Sequence, residues 1–189
     1  MIRDLTPTEW TRMRWMQLYL RLPASGVEKY FPDEASCADR VKQVRWPGGM
    51  RCTKCDADRL KTCHSRKTLR CLKCAHEFSL KFGTVMARSR HSLRQWFLAA
   101  EEHVSLCATG RDRVDTGHEF AARLGVAYTT AFRFRKKLER ELESDNSLLI
   151  SIICVEELSL PQDFARDDRS AFNWLDDVVS EHAARKRRG

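Results

Sequence analysis

The spacing of apolar and polar residues predicts a chain built mostly from helices. Near its start, Thr6-Pro7-Thr8-Glu9 is a capping box with proline at the first helical position. The residues that follow at helical spacing are Trp10, Met13, Gln17 and Leu20, with Met16 and Leu18 widening the stripe. Pro23 ends this helix, and a second helix is predicted from Asp33 to Val44 with Cys37 on its inner face.

Helical spacing returns after Gly83. The capping box Ser92-Leu93-Arg94-Gln95 opens one helix, and Thr116-Gly117-His118-Glu119 opens a shorter one that ends at the turn Leu124-Gly125-Val126. A longer helix is predicted from about Tyr128 to Glu143. The inward-facing residues of the first of these helices are Trp96, Phe97, Ala100 and Val104.

The last part of the chain mixes two kinds of pattern. Leu148–Val155 is an apolar run interrupted only by Ser151, and it predicts either a buried strand or a helix, because periodicity cannot separate the two over so few residues. A final helix is predicted from about Ser170 to Ala184, and the basic tail Arg185-Lys186-Arg187-Arg188 follows it. The residues of this helix that are available for burial are Phe172, Leu175, Val178 and Val179.

Two Cys-x-x-Cys motifs are the most specific chemical signal in the sequence. Cys52 and Cys55 form the first, and Cys71 and Cys74 form the second after fifteen intervening residues. Two such motifs supply the four thiolates of a tetrahedral zinc site, and short strands predicted at 60–64, 68–71 and 76–80 bring them together. A redox dithiol would need only one pair beside a βαβ pattern. We therefore predict a ribbon over residues 46–86 that holds one structural Zn²⁺.

The charge distribution favours a polyanionic partner. The net charge is +8, with 34 Lys and Arg against 26 Asp and Glu. Basic residues are concentrated at 88–140, whereas much of the acid lies at 156–181. Such a balance favours nucleic acid through counterion release. The N-terminus lacks a signal-peptide pattern and no apolar run approaches a membrane span, so we expect a cytoplasmic protein with reduced thiols and no membrane partner.

The predicted helices around Gly125 fit a helix-turn-helix DNA-binding domain over residues 87–144. Gly125 allows positive φ in the turn, and Ala121 allows the helices to cross closely. The predicted apolar contacts are those of Phe120, Leu124, Val126, Ala131 and Phe134. We expect the second helix to read a major groove with its first turns and to contact phosphates further along. The predicted DNA-binding residues are Tyr128, Thr129, Thr130, Arg133, Arg135, Lys136, Lys137 and Arg140. The alternative is an ordinary helical hairpin with a solvated basic face.

Taken in order, several segments resemble the N-terminal half of bacterial insertion-sequence transposases that carry an N-terminal zinc ribbon. The resemblance covers about residues 31–140 and includes both cysteine motifs. The other segments that carry it are Phe31-Pro32-Asp33-Glu34-Ala35, Arg45-Trp46-Pro47-Gly48-Gly49, Phe78-Ser79-Leu80-Lys81-Phe82-Gly83-Thr84-Val85, Leu93-Arg94-Gln95-Trp96-Phe97, Glu119-Phe120-Ala121-Ala122-Arg123-Leu124-Gly125-Val126 and Thr130-Ala131-Phe132-Arg133. It implies that the ribbon and the helix-turn-helix recognise terminal inverted repeats in double-stranded DNA, and that the protein is bacterial and nucleoid-associated.

In the resembled family, a separate RNase H-like domain with an acidic triad and a divalent metal cuts and joins DNA. Only residues 145–189 follow the predicted helix-turn-helix here, whereas a domain needs roughly 100 residues. Glu156 follows a segment that resembles the strand of the family's first catalytic acid, but we expect an exposed carboxylate there. We therefore expect a non-catalytic, sequence-specific DNA-binding protein: a truncated transposase, an accessory that binds element ends, or a derived regulator involved in transposition and DNA recombination.

The expected architecture is α+β and mostly α. It consists of an N-terminal helical segment at 1–45, the ribbon at 46–86, the helix-turn-helix domain at 87–144 and a C-terminal segment at 145–189. Two other functions stay open. A protein-interaction adaptor would use the ribbon and the helix of Trp10 and Trp15, and the chain is compatible with a homodimer or with a partner protein. An active transposase or nuclease would need acids from a partner chain or from Glu156, Asp163, Asp167 and Asp176.

Overall fold

The computed structural model describes residues 4–110, 117–159 and 167–186. These residues are mostly helical and include one small sheet, which confirms the expected α+β, mostly α, fold class. The α-helices are α1 (Pro7–Leu20), α2 (Val27–Tyr30), α3 (Glu34–Arg45), α4 (Leu93–Thr109), α5 (Gly117–Leu124), α6 (Tyr128–Glu143), α7 (Leu148–Ile153) and α8 (Asp168–Lys186). The strands are β1 (Leu60–Cys63), β2 (Thr68–Cys71) and β3 (Glu77–Phe78).

Local capping explains where α1 and α4 begin. At the start of α1, the Thr6 hydroxyl accepts the Glu9 N–H at 3.3 Å, and the Glu9 carboxylate accepts the Thr6 N–H at 2.7 Å. At the start of α4, Ser92 and Gln95 make the same reciprocal pair at 3.0 and 2.8 Å. Both capping boxes satisfy N–H groups that have no partner within the helix, and both predictions are confirmed. The box predicted at 116–119 includes Thr116, which lies outside the described residues.

Helix α4 lies at the centre of the helical body. It packs against α1, α3, α6, α7 and α8, and the four residues predicted to face inward are fully buried. Those residues are Trp96, Phe97, Ala100 and Val104. One continuous apolar core joins all of these helices, so segments from both ends of the chain contribute to it.

The buried face of α1 differs from the predicted stripe. Trp10 leaves 46% of its surface exposed, whereas Trp15 and Tyr19 are buried. Helix α1 packs against α4 and also against α8, so it buries a wider surface than the single stripe assumed from helical spacing. One member of the stripe named from helical spacing, Trp10, is therefore exposed rather than buried.

The apolar run at 148–155 forms the helix α7, so its alternative interpretation as a strand is wrong. The Ser147 hydroxyl caps this helix by accepting the Ile150 N–H at 3.1 Å, and Glu141 of α6 accepts the Leu148 N–H at 2.8 Å. These acceptors make a short helix favourable at the start of the run. The residues of α7 that are buried in the core are Leu149, Ile152 and Ile153.

The sheet is an antiparallel meander in the order β1-β2-β3. Its register places Cys63 opposite Thr68 and Leu69 opposite Phe78. The buried side chains Cys52, Leu69, Cys71 and Phe78 form a second, smaller core that is separate from the helical one. The ribbon therefore has an interior of its own beside the helical body.

Candidate metal centre and nucleic-acid interface

The four cysteines of the two motifs meet at one point of the ribbon. Their sulfur atoms all lie within 4.8 Å of one another. Two of the distances, Cys52 Sγ to Cys74 Sγ and Cys55 Sγ to Cys71 Sγ, are 3.6 Å. A disulfide would need about 2 Å, whereas four thiolates at about 2.3 Å from a tetrahedral zinc stand about 3.8 Å apart. The donor set and its spacing fit one structural zinc.

The two motifs share the same local geometry. In the first, the Asp56 N–H donates to the Cys52 carbonyl at 2.9 Å; in the second, the Ala75 N–H donates to the Cys71 carbonyl at 3.0 Å. Asp56 and Ala75 both have φ of 57°, which turns the chain back after each second cysteine. In each motif a backbone N–H, that of Lys54 or of Lys73, also points to the first sulfur at 3.4 Å. Such N–H groups stabilise thiolates, which are the metal-binding form.

Electrostatics favour an ionised sulfur at Cys71. The backbone N–H groups of Cys74 and Lys73 hold the pKa of Cys71 at about 6, below its ordinary value. This thiol is therefore ready to bind a cation at neutral pH.

His76 is close in sequence but packs its ring against Phe78 and Phe82, with centroids 5.6 and 5.3 Å away. Within the described residues, the four thiols are the only group of three or more His, Cys, Asp or Glu close enough to hold one metal ion.

Helices α5 and α6 meet across a short turn. Gly125 has φ of +63° and donates its N–H to the Ala122 carbonyl at 3.1 Å, and the Val126 N–H donates to the Ala121 carbonyl at 3.1 Å. The residues predicted to make apolar contacts do enter the helical core. Phe120, Ala131 and Phe134 are buried, and Leu124 and Val126 are partly buried.

The predicted DNA-binding residues divide between different sides of α6. Arg135 is half-buried on the side that faces α4, and its Nε donates to Glu139 at 2.8 Å. Thr130, Arg133 and Lys137 line an open groove on another side. The residues of the predicted set that are exposed are Tyr128, Thr129, Thr130, Arg133, Lys136, Lys137 and Arg140. Arg135 therefore differs in environment from the other seven.

The groove beside α6 contains two arginines that sequence reasoning did not select. Arg88 and Arg90 lie in the segment before α4 and line the groove opposite the α6 side chains. The cluster Arg88, Arg90, Thr130, Arg133 and Lys137 is called the basic groove below. Within the part of the chain that the structure describes, none of its four cations forms an ion pair. Their sequence signals were the concentration of basic residues at 88–140 and an Arg-x-Arg pattern just before a capping box.

A lysine connects the ribbon to the basic groove. Lys81 follows β3, and its ammonium group donates to the carbonyls of Ser89 and His91, both at 2.9 Å. These bonds fix the loop that carries Arg88 and Arg90. Burial, and then the charge of Lys81, lower the pKa of His91. The charge of the groove at neutral pH therefore comes from its arginines and lysine.

The acids named for a catalytic alternative are placed apart. Asp176 of α8 pairs with Arg12 of α1, and Asp167 accepts a hydrogen bond from the Arg169 N–H at 3.1 Å. Glu156 is exposed in the segment after α7, and Asp163 lies outside the described residues.

Trp15, named for the adaptor alternative, is only 6% exposed. The end of the basic tail, residues 187–189, also lies outside the described range.

The chain resembles a known protein family and a known protein. Residues 32–77 match the family described as "Transposase zinc-ribbon domain", a range that includes α3 and the four thiols. The chain is 27% identical over 132 residues to an uncharacterized protein in the transposable element ISH50 of Halobacterium salinarum. That alignment covers 68% of this chain and 42% of the relative, so the chain spans less than half of the relative's length.

No solved structure matches the chain. In the described residues, no helix is long and apolar enough to cross a membrane. The resemblance to zinc-ribbon-containing insertion-sequence transposases is confirmed by the family match and by the relative: residues 32–77 are similar to a transposase zinc-ribbon domain, and the chain is similar to a protein of a transposable element.

Proposed function

We propose that this protein is a zinc-containing, sequence-specific DNA-binding protein in which α5 and α6 act as a helix-turn-helix unit. One observation carries the proposal: the exposed first half of α6 lies beside the basic groove, where Arg88, Arg90, Arg133 and Lys137 stand without ion-pair partners in the described structure. When a recognition helix occupies the major groove, the phosphate backbone runs beside it. Unpaired cations next to the exposed side of α6 are therefore in a position to contact those phosphates.

The side chains take separate roles in this proposal. Thr129 and Arg133 are exposed in the first two turns of α6 and reach base edges, where arginine pairs best with guanine. Arg88, Arg90 and Lys137 contact phosphates on the groove side. Each phosphate contact releases counterions, so affinity should fall steeply as the salt concentration rises.

Zinc has a structural role in the proposal. The ribbon's own core contains few buried side chains, and metal binding contributes on the order of 10 kcal/mol to modules of this kind. The ribbon contacts the helical body through Arg45 of α3, whose guanidinium donates to the Phe82 carbonyl at 3.0 Å. Through Lys81 it also fixes the loop of the basic groove. Zinc therefore supports DNA binding by holding this connection in place.

The proposal assigns no catalytic step to the described residues. Asp176 is engaged by Arg12, and Glu156 and Asp167 belong to different segments of the chain. A metal-dependent nuclease needs carboxylates that share a metal ion. Incubating the purified protein with Mg²⁺ or Mn²⁺ and labelled duplex tests this part, and strand cleavage above that of a mock purification would refute it.

The central experiment is selection from a pool of random duplexes with the zinc-loaded protein. The Thr129→Ala/Arg133→Ala variant removes both proposed base-reading side chains. A Thr8→Ala/Lys29→Ala variant is the matched control, since it removes an exposed hydroxyl and an exposed cation outside α6. We expect an enriched motif with the parent protein and the control, and none with the α6 variant.

The selected motif also discriminates among biological roles. Similarity to inverted repeats at the ends of a neighbouring element would indicate a protein of that element or an end-binding accessory in the nucleoid. A motif in promoter regions would indicate a derived regulator. The protein could instead bind DNA without enriching any motif, with this binding weakened equally in both double variants. That result would refute sequence-specific recognition by α6.

A further inference from the structure

The outward side of α6 presents an aromatic ring among polar and cationic side chains. Residues three, four and seven positions apart share one face of a helix. This outer face of α6 consists of Thr129, Phe132, Arg133, Lys136 and Arg140, all exposed. Phe132 leaves 45% of its surface exposed, although it sits between two residues proposed to read bases. Its chemistry differs from that of every other member of this face.

The ring of Phe132 is held by residues one helical turn away on either side. The Tyr128 ring lies 6.3 Å from it at an interplanar angle of 19°, and the Lys136 ammonium stands 4.8 Å from its centroid. Stacking and cation–π contacts of this kind favour the observed position of the ring. The His118 ring continues the stack at 4.7 Å from that of Tyr128. Phe132 is therefore an ordered apolar group on the surface that the proposed function directs at DNA.

We propose that Phe132 reads a thymine by contacting its 5-methyl group in the major groove. This inference rests on the proposed function. The methyl group of thymine is the apolar feature that a base pair presents in the major groove, and phenylalanine is among the side chains that contact it. The cations around the ring, Arg133, Lys136 and Arg140, favour DNA over a second copy of this basic chain.

The test removes the methyl group and the ring separately. Each thymine of the selected duplex is replaced singly by deoxyuridine, which lacks only that methyl group, and binding to the full zinc-loaded chain is measured. At one position the parent protein should bind the deoxyuridine duplex about fourfold more weakly, the effect of about one buried methyl group. The Phe132→Ala variant should bind the thymine and deoxyuridine duplexes equally.

Tyr30→Ala is the matched control, because Tyr30 is an aromatic residue that is 49% exposed but lies in α2, outside α6 and the ribbon. It should keep the full discrimination between thymine and deoxyuridine. Equal discrimination by Phe132→Ala and the parent protein would overturn the inference and leave the proposed function standing. A selected motif without thymine would do the same. A change of sedimentation in Phe132→Ala with unchanged discrimination would mean that the ring joins two copies of the chain. If no motif is selected, the proposed function and this inference both fail.

Discussion

Replacing Lys81 with methionine is expected to release the loop that carries two arginines of the basic groove. The Lys81 ammonium donates to the carbonyls of Ser89 and His91, each at 2.9 Å. A hydrogen bond from a charged donor contributes about 1.5–3 kcal/mol, but Lys81 is only half-buried and the freed carbonyls regain water. Methionine keeps the volume of the apolar stem. We therefore expect the free energy of unfolding to fall by about 2 kcal/mol, well below the sum of the two bonds.

The same substitution should weaken DNA binding through Arg88 and Arg90. Without Lys81 these arginines must be ordered when DNA binds, and a cost of about 1.4 kcal/mol lowers affinity about tenfold. Urea unfolding followed by circular dichroism measures the stability, and fluorescence anisotropy with the selected duplex measures the affinity. Lys29→Met is the control, because it removes an exposed lysine of α2 and the same charge.

Two results would refute this reasoning. One is an unfolding free energy within about 0.5 kcal/mol of the parent value, the range of ordinary surface substitutions. The other is an affinity loss in Lys81→Met equal to that in Lys29→Met, since this would show a general effect of charge. A loss confined to Lys81→Met supports the connection between the ribbon and the basic groove.

Three further predictions concern other parts of the structure. Phe134→Ala should lower the free energy of unfolding by about 3–5 kcal/mol, because its ring is buried. Phe132→Ala, on an exposed ring of the same helix, should lower it by under about 0.5 kcal/mol in the same urea experiment. Similar costs for the two variants would contradict the burial pattern. Removing zinc with a chelator should abolish DNA binding while most of the helical circular dichroism signal persists. Added zinc should then restore binding. Full DNA binding without zinc would contradict a structural role for the metal. The Arg169 guanidinium, followed by the Thr6 N–H, lowers the pKa of Glu9 from 4.5 to about 2. A carboxylate with a lowered pKa stabilises the fold above pH 4.5, and this stabilisation is lost as the pH falls towards 2. Glu9→Gln should therefore be less stable than the parent at pH 6, and the difference in unfolding free energy should shrink on acidification. A difference that does not change with pH would exclude this ion pair as its source.

The sequence predicted those features whose causes are local. The capping boxes at Thr6 and Ser92 operate within four residues, so they define the starts of α1 and α4 without reference to the fold. The two cysteine motifs likewise contain their own turn geometry, and their spacing was enough to predict one metal site. In these places the local signal and the final structure agree because nothing distant competes with it.

Features that depend on tertiary contacts were missed or left open. Trp10 belongs to the stripe named from helical spacing, but packing against two helices set the buried face of α1 and left Trp10 exposed. The run at 148–155 became helical partly because Glu141, in a different helix, accepts an N–H at its start. Arg88 and Arg90 joined the α6 side chains only because the loop before α4 folds back beside that helix. A local cap at Ser147 contributes to α7, but the other contacts join residues that are distant in the sequence.

The separation of the ribbon's interior from the helical core has a thermodynamic consequence. A ligand that binds only the folded form stabilises it in proportion to the logarithm of its concentration, and here the zinc ligands belong only to the smaller core. The two parts therefore respond differently to free zinc. Their unfolding should lose cooperativity when zinc is scarce, with the ribbon melting first, and become closer to a single transition when zinc is abundant. A single melting temperature describes this protein only at a stated metal concentration.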